Sequence, residues 1–124
     1  MLSEFTPYAT IPASDMDRAR KFYEEKLGLA PKEVTPAGVF YGAGERKFLL
    51  FISSGKASGA HTQMGWQVND LASEVRALQG KGVAFEEYDF PTLKTENGIA
   101  EIAGGKAAWF RDSEGNLIGI AQLS

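Results

Sequence analysis

The chain has 124 residues, 44% hydrophobic and 23% charged, with a formal net charge of -3 and no cysteine. That is one domain's worth of ordinary soluble sequence, long enough to bury roughly two thirds of its unfolded surface around a single core. The weak negative charge offers nucleic acid and anionic membrane no basic face, and the missing thiols exclude disulfides, thiolate catalysis and cysteine-based zinc or iron–sulfur centres.

The first residues lack a basic region followed by an apolar run, so no secretory signal is read there, and no apolar run approaches the ~20 residues of a membrane span. A cytoplasmic protein is the expectation. Residues 8–11 alternate weakly and predict a short first strand, closed by Pro12, which cannot donate to a ladder. A helix follows, with Ser14 as N-cap, Asp15 and Asp17 in its first turn and Gly28 as its left-handed stop. Met16, Ala19, Phe22, Tyr23 and Leu27 form its apolar stripe. Then come a strand near Val34, a strand at Val39-Phe40-Tyr41, a turn at Gly42-Ala43-Gly44, and the apolar run 48–52.

After the small polar segment Ser53-Ser54-Gly55-Lys56-Ala57-Ser58-Gly59 the pattern restarts. Residues 64–68 predict a strand, Asn69-Asp70-Leu71 repeats the cap chemistry of Ser14-Asp15-Met16, and Leu71, Val75 and Leu78 supply a second helical stripe ended by Gly80 and Gly82. Residues 83–88 predict the next strand. Trp109 to Ile120 then reads as strand, turn and strand, because Asp112-Ser113-Glu114-Gly115-Asn116 holds the turn formers between β-favouring flanks. Matching Phe40 with Phe110 leaves an insertion in the second copy at 89–106, a long loop with Ile99-Ala100-Glu101-Ile102 as a short strand.

Ser14-Asp15-Met16 with Phe22-Tyr23 and Leu27-Gly28-Leu29, then Val68-Asn69-Asp70-Leu71, then the closing hairpin, together resemble the vicinal oxygen chelate superfamily. That group includes glyoxalase I, bleomycin-resistance proteins and extradiol dioxygenases. The resemblance spans nearly the whole chain. It implies an α+β fold in which two βαβββ modules form one curved eight-stranded mixed sheet, with the helices on its convex face and a trough on the other. The chain is accordingly read as a single domain, 1–124, with module one at about 1–53, a linker at 54–60 and module two at about 61–124.

Metalloenzymes of that superfamily place His, Gln or Glu side chains on the first and last strand of each module. The matching positions here are Tyr8, Gln63, Leu50 or Phe51, and Gly119, a set with almost no donor strength for a divalent ion. The expectation is therefore no metal and no cofactor. His61, the only histidine, is read as solvated, and Glu86, Glu87 and Asp89 as a charged strand edge. Strand alternation puts Gln63, Gly65 and Gln67 on one face and Trp66 under the helices. The ligand-binding set is Tyr8, Thr10, Gln63, Gly65, Gln67 and Gly119 with the aromatic Phe51, Tyr88 and Trp109; Ala121 adds to the trough lining, and no catalytic residue is assigned. The resemblance then implies a small-molecule-binding protein, a homodimer, sequestering an aromatic or amphipathic ligand. The alternatives are a lyase, isomerase or hydrolase of the same superfamily, metal-assisted or working through Asp89 or Glu101 of the loop, and a regulatory protein with a vestigial trough.

Overall fold

In a computed structural model, which describes residues 1–43 and 46–123, the strands fall into two mixed sheets. The first has the order β1-β4-β3-β2, built from β1 (Ala9–Ala13), β2 (Pro31–Thr35), β3 (Gly38–Ala43) and β4 (Arg46–Ile52). The second has the order β5-β10-β9-β8-β7-β6, from β5 (Thr62–Gln67), β6 (Asp89–Phe90), β7 (Leu93–Glu96), β8 (Ile99–Ile102), β9 (Gly105–Arg111) and β10 (Leu117–Leu123). In each sheet the first strand lies parallel to the last, β1 on β4 and β5 on β10, and a hairpin completes the set. The expected single eight-stranded ladder is divided in two. Part of the predicted turn at 42–44 lies outside the described residues.

Each parallel pair is joined by a long connection that begins with a helix and returns through the intervening strands. The first helix, α1 (Met16–Lys21), continues into a π-helical turn at Phe22–Lys26, and Gly28 ends it at φ 73°. The wider turn brings the consecutive Phe22 and Tyr23 both onto the core side. The second, α2 (Leu71–Gly80), buries Leu71 and Val75. Neither cap is the residue predicted: Asp15 and Asp70, not Ser14 and Asn69, accept the N–H groups of Arg18 and Ser73. Both caps moved by one residue, so the internal repeat is preserved. Ser14 is displaced because its own N–H and hydroxyl are taken by Glu114 from the far end of the chain.

Alternation then fixes the core. Ile11, Val39, Tyr41, Phe48 and Leu50 face α1, while Ala108, Phe110, Ile118 and Ile120 face α2. Met64 and Trp66 on β5 touch both groups, so one apolar layer runs beneath both sheets. Tyr23, Tyr41 and Phe48 form a ring cluster with centroids 5.5–6.0 Å apart, each such pair contributing about 0.5–1.5 kcal/mol beyond its buried area. By burial and cross-strand partner it is Tyr41 opposite Phe48, not Phe40, that matches Phe110 opposite Ile118.

Three further expectations are corrected. Pro12 does not close β1 but lies inside it, on an edge where its missing N–H costs no ladder bond. Residues 83–88 make only one bridge, Phe85 to Phe110. The long loop is instead a strand meander, β6 to β8, in which β8 takes the place beside β9 that β2 takes beside β3. Gly105 opens β9 at φ 159°, where a Cβ would lie 2.0 Å from the Gln122 carbonyl oxygen, and Gly38 repeats this against Leu50. Gly105→Ala should therefore cost about 1–3 kcal/mol by forcing β9 off β10, read as a lowered urea midpoint.

Candidate functional site

The strands that bury Ala108, Phe110 and Ile120 under α2 turn Trp109 and Gly119 to the opposite, open face. There the two are cross-strand partners, and the indole occupies the space above the glycine. A Cβ on Gly119 would lie 3.3 Å from Trp109 Nε1 and 3.4 Å from its Cδ1. Tyr88 meets the indole edge to face with centroids 5.7 Å apart, and Phe90 stacks on Tyr88 at 6.0 Å. The result is a row of three rings, the first of them over a glycine.

The meander holds this row in place. Tyr88 donates its N–H to Thr95 Oγ1 at 2.7 Å and accepts the Thr95 N–H at 2.9 Å, while Glu87 accepts the Gly98 N–H at 2.7 Å. Glu86 pairs with Arg111 at 2.7 Å, and Arg111 also donates to the Gly59 carbonyl, closing one end of the row with a charged pair. Burial raises the Tyr88 phenol above its ordinary pKa, with the Glu86 carboxylate adding to the rise and Arg111 opposing it. At neutral pH the hydroxyl is thus a hydrogen-bond donor.

On the first sheet the open face carries Tyr8 edge to face with Phe40 at 5.4 Å, and Lys47 has its ammonium 4.5 Å from the Phe40 ring centre. The sheets touch where Gln63 Nε2 donates to the Thr10 carbonyl at 3.3 Å. Of the sequence-predicted set, Trp109, Gly119 and Tyr88 are brought together, and Gln63 and Thr10 meet at the seam. Tyr8 joins Phe40 instead, Gly65 and Gln67 are exposed on β5, and Phe51 stands toward the other end of β4 opposite Pro12 and Gly38. Sequence reasoning passed over Phe40, Phe90 and the Glu86–Arg111 pair. Alternation was the signal for Phe40, against the buried Val39 and Tyr41, and for Arg111, two residues past Trp109 on β9; Phe90 gave none, since only the meander brings it into the row.

Among the described residues no three of His, Cys, Asp and Glu come together where they could hold a metal ion. Leu50 is buried against α1, His61 is exposed with Nδ1 3.2 Å from the Thr62 carbonyl oxygen, and the indole fills the place where a side chain at 119 would reach. Asp89 is almost wholly exposed and sits 4.0 Å from Lys94. Glu101 lines a separate polar groove of about 910 Å³ beside the start of α2.

The model of the Glyoxalase/Bleomycin resistance protein/Dioxygenase superfamily matches residues 6–120. The chain belongs to this superfamily. Solved structures with the same fold include UcmS2, at 22% identity and a TM-score of 0.72 over 92% of this chain and 94% of that one. TnmS3, described as an antibiotic binding protein from Streptomyces sp. CB03234, is 23% identical with a TM-score of 0.69 over 97% and 96%. A glyoxalase family protein from Enterococcus faecalis is 19% identical with a TM-score of 0.70 over 98% and 100%. A search of curated protein sequences finds no match. Likeness at these identities establishes the fold. No helix among the described residues is long and apolar enough to cross a membrane.

Proposed function

We propose that this superfamily member is a small-molecule-binding protein that sequesters an aromatic or amphipathic ligand against Trp109, without a metal ion and without transforming it. The observation that carries the reading is the indole lying over Gly119, where metalloenzymes of this fold place an acid. A flat ring laid beside Trp109 and Tyr88 would find apolar faces, a phenol donor and the Glu86–Arg111 pair at one end. Tyr8, Thr10, Phe51, Gln63, Gly65 and Gln67 would line the remainder, with β1 and β5 side by side so that the two open faces act as one curved trough. The antibiotic-binding role stated for TnmS3 supports the same class of ligand. In this account the protein works in the cytoplasm as a homodimer of single-domain chains, built from modules at about 1–53 and 61–124.

Calorimetric titration with a panel of planar heteroaromatic compounds in EDTA tests the reading. At least one compound should bind, and Trp109→Ala should weaken it about tenfold or more, while His61→Ala leaves affinity unchanged. Binding that EDTA abolishes, or that Trp109→Ala leaves intact, would overturn it.

A further inference from the structure

Beneath the open face, on the side of the same strands that carries the helices, lies a cleft of about 170 Å³. Leu27 past the end of α1, Trp66 and Val68 of the β5 region, Leu78 of α2 and Phe110 of β9 are among its walls, and apart from Glu74 its lining is wholly apolar. An enclosed apolar cavity of about 150 Å³ takes benzene, so a cleft of this size has room for one ring. Glu74 stands exposed in the first turn of α2, and its carboxylate has no ion pair or hydrogen bond among the described residues.

We propose that this cleft is a second ligand site, for a small amine whose body is one ring or a short branched alkyl chain and whose ammonium meets Glu74. The body would bury the apolar walls, and the cationic end would remain at the rim, where the only charge in the lining is negative. The site is independent of the proposal for the open face: Trp66 alternates with Gly65 and Phe110 with Trp109, so the two sites occupy opposite sides of shared strands. A ligand here would bridge the end of α1 to α2 and the second sheet.

The chain has two tryptophans, one on each side, so indole N–H signals in a nitrogen-15 correlation spectrum separate the two sites. Titrating 2-phenylethylammonium at neutral pH should shift the Trp66 indole and the Leu27 and Leu78 methyl signals saturably while the Trp109 indole stays in place. The neutral probe 2-phenylethanol should bind about three- to fivefold more weakly, and Glu74→Gln should bring the amine down to the same affinity. Leu78→Trp, which fills the cleft, should abolish binding of both probes. Shifts confined to Trp109, equal affinity of the two probes for the wild-type chain, or an unaffected Glu74→Gln variant would each overturn the proposal. So would methyl signals of Leu78 that move with protein concentration alone, which would mean that a second copy covers the cleft. The probe comparison on the wild-type chain decides the matter even if Leu78→Trp does not fold.

Discussion

Replacing Asp112 with alanine should cost about 3–5 kcal/mol, lowering the thermal midpoint by roughly 10–20 °C. The carboxylate is buried and receives four donors: the Tyr23 hydroxyl at 2.6 Å and Asn116 Nδ2 at 2.8 Å on one oxygen, and the N–H groups of Glu114 and Asn116 at 2.9 Å on the other. Its removal leaves those donors stranded where water does not replace it. Tyr23 comes from the π-helical turn that continues α1, and Asn116 also donates to the Pro12 carbonyl of β1, so this network fastens the closing hairpin of the second sheet to the first. Tyr23→Phe should cost less, about 1–3 kcal/mol. A double-mutant cycle between Tyr23→Phe and Asp112→Ala should show strong coupling, because the second change removes the partner that the first one loses. Additive losses would mean that the hydroxyl–carboxylate contact contributes nothing of its own. Burial, with the adjacent Asp112 charge adding to it, drives the Tyr23 phenol far above its ordinary pKa, so the network keeps its donor across the working pH range.

Acid should loosen the same junction through Glu114. Its side chain is 2% exposed and accepts hydrogen bonds from Arg18 Nε at 2.7 Å, from the N–H groups of Ser14 and Asp15 at 3.1 Å, and from the Ser113 hydroxyl at 3.0 Å. These contacts, the Arg18 guanidinium foremost, lower its pKa from 4.5 to about 2. A carboxylate held below its unfolded value contributes stability that is complete above that value and is lost as pH falls through the folded one. About 3 kcal/mol should therefore disappear between about pH 5 and pH 2. Glu114→Gln should be less stable than the parent by about 2–3 kcal/mol at pH 7, with the difference closing on acidification. Urea melts of both proteins at a series of pH values measure this directly, and a gap that persists unchanged to pH 2 would refute the assignment.

The parts of the fold that local chemistry decides were legible. The Asp112-to-Asn116 turn sits where its residues demand, and both helical stripes bury the side chains that periodicity selected. What escaped depends on partners far along the chain. Ser14 has the chemistry of a cap, but Glu114 takes it, and the cap passes to Asp15. The strands at 89–90 and 93–96 are too short to show alternation and exist because Tyr88 and Thr95 bond each other across the hairpin. At the site, alternation places Trp109 and Gly119 on the open face, but their direct contact is a matter of cross-strand register, which a single strand's sequence does not contain.

Native mass spectrometry of the untagged protein, purified without chelator, tests the central claim most directly. The account predicts a chain free of stoichiometric divalent metal, with any co-purifying mass organic and absent from the Trp109→Ala variant. One divalent ion per chain, removed by EDTA, would contradict it.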